Sequence, residues 1–380
     1  MQSPHQHRFL PVFLLSLTVL TEALALYLLR SLTLLPTAVL WYAAGILTLL
    51  TLLTARGLFP TSPRLRPWKQ TLACLLALTI TVGSCGGVYA ALRLRADADL
   101  LLNAATPPNT APWQPTEEPF VVYLGGSDTR SSKLTKSRCD VNILAAVNPN
   151  TMQLLLVNTP RDTYLPNPAG NGAKDKLTHC GLYGMENSMA ALSALYTQPV
   201  HYGAVINFTG FAQLIDALGG VTVYSDTAYT TTVGGYAIQK GENHLNGAQA
   251  LAFARERYHL SGGDGARGEN QMQVLSAIVR QLSPKQLLTG WQDILASLDG
   301  MLTTNFPLPL MARLAASHLP RLGEWEIFTL SLTGTDSTAI NYSASGKAYV
   351  MVPDSAAAAH ISHLMSRLLD GEQLTEADFR

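Results

Sequence analysis

Three apolar runs open the chain, at residues 9–29, 32–55 and 71–92, and they contain one charge, Glu22. Each is longer than the roughly 18–20 residues a helix needs to cross a bilayer. Only Arg30 and Ser31 part the first two, which predicts a tight helical hairpin. Residues 56–70 carry Arg56, Arg64, Arg66 and Lys69 and no acid. The positive-inside rule puts that loop in the cytoplasm. The amino terminus is then cytoplasmic, the third span runs outward, and everything after about residue 93 lies outside. A cleaved signal peptide is the rival reading of the first run, and the second run directly behind it argues against that. Glu22, in mid-span, is expected to be protonated or to face the other spans.

Beyond residue 93 the pattern changes. Residues 91–105 continue the third helix, and Thr106-Pro107-Pro108-Asn109-Thr110-Ala111-Pro112 reads as a linker. Strands are predicted at 120–124, 141–147 and 152–157, the last two joined by the turn Asn148-Pro149-Asn150, and again at 204–208, 221–224, 324–330 and 349–352. Helical periodicity marks 184–196, 210–218, 247–255, 271–282, 287–302, 309–319 and 354–369. Strands alternating with helices predict one layered α/β domain. The expected organisation is a membrane anchor at 1–95, an extracellular linker at 96–118, an extracellular domain at 119–372 and a tail at 373–380.

Charge is zero overall but unevenly spread. Residues 1–95 hold eight Lys/Arg and one acid, which leaves the remainder at a net −7 and excludes a basic nucleic-acid-binding domain. Cys74 and Cys85 fall in the third apolar run. Cys139 and Cys180 would lie outside, where they read either as two buried thiols or as a disulfide. No C-x-x-C occurs and the histidines are scattered, so no metal-cluster spacing is present.

The polar chemistry of the domain gathers in four places. Gly125-Gly126-Ser127-Asp128-Thr129-Arg130 is followed by Arg138-Cys139-Asp140. Asp128 and Asp140 fall at strand ends, an arrangement that can hold a divalent cation near a phosphate. Their plainer reading is that Asp128 caps a turn and Asp140 pairs with Arg138. Arg161 and Asp162 follow a buried strand, at the rim of a sheet where α/β proteins bind ligands. The third cluster, Lys174-Asp175-Lys176-Leu177-Thr178-His179, adds Lys176. The fourth is the richest: Arg255 and Arg257, then Gly262-Gly263-Asp264-Gly265-Ala266-Arg267-Gly268-Glu269-Asn270-Gln271, read as a glycine-rich turn leading into a helix. The planar fork of arginine matches phosphate oxygens. Clusters so far apart in sequence that suit one polyanion suggest one folded site.

Taken in order over residues 120–282, the motifs Gly-Ser-Asp-Thr-Arg, Arg-x-Asp, Thr-Pro-Arg-Asp, Lys-Leu-Thr-His, Ala-Arg-Glu-Arg and Gly-Gly-Asp-x-x-Arg-Gly-x-Asn-Gln resemble the LytR–CpsA–Psr family. The three spans and the C-terminal hundred residues are similar to its CpsA-like branch. That branch often carries an accessory domain after the third span, and only about 25 residues fill the gap here. The resemblance implies a layered domain with a central mixed β-sheet flanked by helices. It implies a phosphotransferase that moves an anionic glycopolymer from undecaprenyl-pyrophosphate onto peptidoglycan through a phosphodiester, at the outer face of the membrane, with Mg2+ or Mn2+ as cofactor. The lipid would lie in an apolar tunnel between sheet and helices, and the pyrophosphate in a ring of arginines.

Carried over residue by residue, Asp128 and Asp140 match metal-linked carboxylates, and Arg138, Arg161, Arg255 and Arg267 match pyrophosphate-binding arginines. Asp162 and Gln271 match supporting polar positions, and Arg257 and Lys176 are further phosphate contacts. Asn270-Gln271 stands where many members have Arg-Gln, a departure common in the CpsA-like branch. Cys139 and Cys180 stand where small residues are common. Asp128 is the candidate base for the incoming hydroxyl, unless it only ligates metal. The implied partners are a polyprenyl-pyrophosphate-linked glycan, a peptidoglycan acceptor and the bilayer. Teichoic acid, capsule and other wall polymers all present the same pyrophosphate. Two other readings compete. One is hydrolysis of a lipid pyrophosphate. The other is a regulator that binds lipid-linked glycans without turnover, and against it the cytoplasmic pieces are too short to hold a DNA-binding module.

Overall fold

The three apolar runs form α1 (Gln6–Ser31), α2 (Thr37–Leu58) and α3 (Arg66–Asn103) in a computed structural model that describes residues 6–31, 37–58, 66–103, 118–129, 134–259, 264–281, 298–307, 310, 314, 323–344 and 346–379. The chain divides into one unit within residues 1–100 and 308–317 and another within 101–307 and 318–380. Among the described residues, Thr71–Tyr89 is long and apolar enough to cross a membrane, while the apolar stretches Leu15–Tyr27 and Ala44–Arg56 are shorter. The polarity of this helical unit is inverted. Leu20, Trp41, Tyr42, Leu52 and Val82 are exposed, whereas Thr18, Glu22, Thr54 and Ser84 are buried. Both oxygens of Glu22 accept from the Thr51 hydroxyl at 2.8 Å, and the hydroxyls of Thr18 and Thr81 meet at 3.1 Å. Glu22 therefore faces a neighbouring helix.

The second unit begins with β1 (Phe120–Ser127), β2 (Cys139–Asn148) and β3 (Gln153–Asn158). There follow β4 (Tyr164–Pro166), β5 (Lys174–Lys176), α4 (Leu177–Cys180), α5 (Met185–Tyr196), β6 (Tyr202–Asn207) and α6 (Phe208–Ala217). Then come β7 (Val221–Ser225), β8 (Tyr229–Thr230), β9 (Ala237–Ile238), β10 (Gly241–Leu245), α7 (Gly247–Arg255) and α8 (Asp264–Gln281). The last elements are β11 (Leu302–Thr304), β12 (Glu326–Ser331), β13 (Gly334–Ile340), β14 (Lys347–Pro353) and α9 (Ser355–Leu369).

The central sheet is mixed, with strand order β11-β6-β1-β2-β3-β12. β1 pairs antiparallel with β2 and parallel with β6, and β3 pairs antiparallel with β2 and parallel with β12. Alternation along the strands sends side chains to two covered faces. Val121, Tyr123, Leu144, Ala146, Leu155 and Val157 pack on one face with Leu192 and Tyr196 of α5 and Ile361, Leu364 and Leu368 of α9. Leu124, Ala204 and Ile206 point to the other face, toward Phe211 of α6, Leu251 of α7 and Leu275 of α8. Because both faces are covered, β3 is buried at every position, which is why it reads as a continuous apolar run.

Several expectations are corrected. The helix expected at 271–282 begins at Asp264, so Arg267 lies in its first turns rather than in a glycine-rich turn. Phe208 opens α6 instead of closing β6. Leu302, expected in a helix, belongs to β11. Most of the helices expected at 287–302 and 309–319, and the linker at 106–112, lie outside the described residues. β13 was not expected, because its Gly-Thr-Asp-Ser-Thr-Ala-Ile sequence is largely exposed and carries no apolar alternation. Of the two readings of Cys139 and Cys180, the structure has the two free, buried thiols. Burial pushes their thiols up to about 11 and about 12.

Asp175 joins β5, α4 and the β13–β14 turn. Its side chain is fully buried and contacts His179 Nδ1 at 2.6 Å. It also accepts from the Lys176 N–H at 2.8 Å and the Ser343 N–H at 3.0 Å. Burial opposes ionisation, but the bonds from His179 and Ser343 outweigh it and lower the carboxyl below its ordinary 3.8. A lowered carboxyl contributes stability that is fully present above the ordinary value and is lost as pH falls through the folded one. In Asp175→Asn, unfolding free energy is therefore expected to fall less steeply than in the parent below about pH 4; parallel acid limbs in denaturant titrations would rule this out. Thiol titration of the denatured, unreduced chain should find all four cysteines, and a count of two would restore the bridge.

Candidate functional site

The polar clusters converge on one end of the sheet, at the carboxyl ends of β1, β3, β6 and β12 and the start of β2. α/β sheets offer ligands that edge because loops and helix termini meet there. A bulge lies at this end. Gly126 opposes Val141 but Ser127 opposes Cys139, so Asp140 is the extra residue. Bulges re-aim a side chain out of the pleat. Asp140 accordingly reaches Arg161, which follows β3, with Nη1 to Oδ1 at 2.9 Å. The expected pairing of Asp140 with Arg138 is replaced by this one. Arg161 Nε also stands 3.4 Å from Asp162, and Lys176 Nζ donates to Asp162 at 2.8 Å. Lys176 Nζ lies 5.6 Å from the centre of the Tyr349 ring as well. A chain of alternating charge thus runs Asp140–Arg161–Asp162–Lys176 and fixes the Arg161 guanidinium.

A pocket of about 190 Å3 opens beside this chain, lined by Asp140, Arg161, Arg255, Arg257, Tyr258, Arg267 and Gln271 with Val141 and Phe208. Arg255 ends α7 and stacks its guanidinium 4.5 Å from the centre of the Phe208 ring. Arg267 comes from the amino-terminal part of α8, whose aligned peptide dipoles favour an anion. That end of α8 is fastened to the end of α7: Asn270 Nδ2 donates to Phe253 O at 2.9 Å and Gln271 Nε2 to Ala254 O at 3.3 Å. These bonds tie the start of α8 to carbonyls in the last turn of α7. Gly268 allows α8 to approach β3, since a Cβ there would strike the Asn158 side-chain amide.

A second cavity, of about 200 Å3, lies between the sheet and helices α6, α7 and α8. Leu124, Ile206, Phe211, Leu214, Leu251 and Leu275 give it an apolar wall. Val141, Phe208, Arg255 and Gln271 line both spaces, so the apolar cavity ends at the arginines. Gly126 keeps the wall open, because a Cβ there would stand 2.7 Å from Val141 Cγ2.

Asp128 and Arg138 are exposed and do not line the arginine pocket; they adjoin the end of β1 and the start of β2, where the Asp128 N–H donates to Arg138 O at 3.4 Å. Among the described residues no group of three or more His, Cys, Asp or Glu could hold a metal ion. Asp128 and Asp140 stand at adjacent strand ends, and Mg2+ takes as few as one or two protein carboxylates, completing its shell with water and phosphate oxygens. They do not make an all-protein cage. The sequence reading missed Glu256, hidden within the Ala-Arg-Glu-Arg motif. It is buried, and accepts hydrogen bonds from Thr232, Arg257 and Tyr258. Tyr258 at the pocket rim was also missed, since a lone exposed tyrosine carries no sequence signal.

Comparison with known proteins agrees with this architecture. The chain is 31% identical over 228 residues to the polyisoprenyl-teichoic acid–peptidoglycan teichoic acid transferase TagU of Enterococcus faecalis, which covers 60% of this chain and 74% of that protein. It is 32% identical over 240 residues to the Bacillus cereus protein of the same name, covering 63% and 76%. Among solved structures, TagT bound to LI-WTA superposes with a TM-score of 0.56 at 26% identity, over 69% of this chain and 95% of that one. B. subtilis TagU superposes with a TM-score of 0.53 at 27% identity, over 68% and 100%. The LytR_cpsA_psr family model matches residues 99–363, and the chain belongs to that family.

Proposed function

We propose that this protein is a membrane-anchored phosphotransferase that moves an anionic glycopolymer from undecaprenyl-pyrophosphate onto peptidoglycan through a phosphodiester. The observation that carries this reading is the junction of an apolar cavity with a pocket of four arginines through shared walls. A prenyl pyrophosphate has the same division, a hydrocarbon chain ending in concentrated negative charge. The relatives named as teichoic acid transferases support the same chemistry.

In this reading the prenyl chain lies against Leu124, Ile206, Phe211 and Leu275, and its pyrophosphate meets Arg161, Arg255, Arg257 and Arg267. An acceptor hydroxyl oxygen attacks the phosphorus that carries the glycan. The bond from that phosphorus to the bridging oxygen breaks, and undecaprenyl monophosphate leaves. The hydroxyl proton passes to a carboxylate at the sheet edge, for which Asp128 is the candidate. Phosphoryl transfer asks a protein mainly for position and charge neutralisation, and fixed guanidinium groups supply both. Asp128 and Asp140 would hold Mg2+ or Mn2+, which would add to that neutralisation. Arg138, exposed at the start of β2, would meet the glycan-side phosphate from outside the pocket.

The inverted polarity of the helical unit supports a bilayer setting: α1, α2 and α3 as three spans, residues 96–118 as a linker and the catalytic domain outside. Anchoring an enzyme in the leaflet that holds its substrate raises the effective concentration of that substrate.

Two experiments test this. The full chain in detergent, given a polyprenyl-pyrophosphate-linked glycan, Mg2+ and peptidoglycan fragments, should yield a glycan–phosphate–peptidoglycan adduct by mass spectrometry. The adduct should disappear with EDTA, and Arg161→Ala should lower the rate at least about 100-fold with an unchanged melting midpoint. Free glycan phosphate without adduct would point to hydrolysis, and tight lipid binding without turnover to a regulator. Gly126→Val should weaken binding of farnesyl pyrophosphate about tenfold or more while leaving inorganic pyrophosphate unaffected; equal effects on both probes would remove the cavity from the substrate path.

A further inference from the structure

Glu256 separates Arg255 from Arg257, both of which line the arginine pocket, yet does not line it itself. It is 2% exposed. α7 ends at Arg255, and Glu256 leaves the helix in an extended conformation at φ −66° and ψ 140°. Oε1 accepts the backbone N–H of Arg257 and of Tyr258 and the Thr232 hydroxyl, each at 2.9 Å. Oε2 accepts the Thr232 N–H at 2.6 Å, and His259 Nδ1 stands 3.3 Å from Oε1. A second contact joins the same two segments, for the His259 ring stacks on Tyr229 of β8 at 5.9 Å between centres and 6° between planes. Burial alone would raise this carboxyl. The bonds from Thr232, Tyr258 and Arg257 outweigh it and bring it down to about 2, so it is ionised near neutral pH.

We propose that Glu256 is the positioning residue of the arginine pocket. It gathers the N–H groups of Arg257 and Tyr258 and the Thr232 loop around one carboxylate, and so holds Arg255, Arg257 and Tyr258 toward one ligand. The proposal rests on the reading of that pocket as a pyrophosphate site. A guanidinium on a loose helix end samples many positions, and ordering it on binding costs affinity. Here the ordering is built into the fold by the bonds to Glu256. The carboxylate is occupied by backbone and hydroxyl donors, and so acts on the segment that carries the two arginines. Glutamine in its place would turn an N–H2 group toward the donors that now meet a carboxylate oxygen.

Calorimetric titration of the full chain in detergent with inorganic pyrophosphate and farnesyl pyrophosphate tests this. Glu256→Gln should weaken both probes about tenfold, and Thr232→Val, which removes one of the donors, about threefold. In a background carrying Arg255→Ala and Arg257→Ala, adding Glu256→Gln should change affinity by less than about twofold, because the residue acts through those side chains. A Glu256→Gln chain that binds like the parent would overturn the proposal. So would one whose loss is as large without the two arginines as with them, since that marks a general structural effect. If Glu256→Gln does not fold, Thr232→Val decides alone, and unchanged affinity there overturns the proposal. A parent chain that binds neither probe sinks the pyrophosphate reading and this inference together, whereas a parent that binds both isolates the role of Glu256.

Discussion

Guanidinium groups crowded around one small pocket repel one another, and with no anion between them a flexible chain would let them splay into water. At about 4 Å two such charges cost about 4 kcal/mol when the surroundings screen them only moderately. Each arginine of this pocket is held by something other than a ligand. Arg161 leans on Asp140 and Asp162. Arg255 lies over the Phe208 ring. The backbone of Arg257 is fastened to Glu256. Arg267 rides on α8, whose amino-terminal part is tied to the end of α7 by Asn270 and Gln271. The supports differ in kind, and they keep the positive charge concentrated where the apolar cavity ends.

The sheet's part is to bring these supports to one edge. The parallel pairs β1–β6 and β3–β12 align strand ends, and the antiparallel β2 starts at the same edge. The bulge at Asp140 then turns one carboxylate toward Arg161. Small residues at two points, Gly126 and Gly268, let a cavity stay open and a helix come close. Electrostatics, packing and backbone geometry are therefore one problem at this site.

Much of this was legible in the sequence, for identifiable reasons. β1, β2 and β3 are largely buried on both faces, so each shows a short apolar run: 120–124, 143–147 and 154–157. The arginines could be named because charge clustering survives in one dimension and because the motif order resembles a family. What escaped was whatever depends on three-dimensional register. Nothing in Arg138-Cys139-Asp140 announces a bulge. Gly265 and Gly268 suggested a turn, because the helix they belong to is set by packing against Asn158 rather than by propensity. Glu256 read as one more charge in a charged motif, since burial by backbone donors leaves no local pattern. β13 is polar along its length and takes its strand form from pairing with β14.

The pairing of β3 with β12 has a consequence for how the molecule comes into being. Gln153 opposes Glu326, 173 positions further along the chain, and their side chains are hydrogen-bonded. Contacts this distant in sequence form late and slowly, because a long loop must close before they are rewarded. Arg161 lies just beyond β3, whereas β12, which pairs with β3, comes from far later in the chain. Until β12 docks, the edge of β3 that leads to Arg161 lacks its partner strand. Order at the sheet edge that leads to Arg161 is thus coupled to the closing of a long loop.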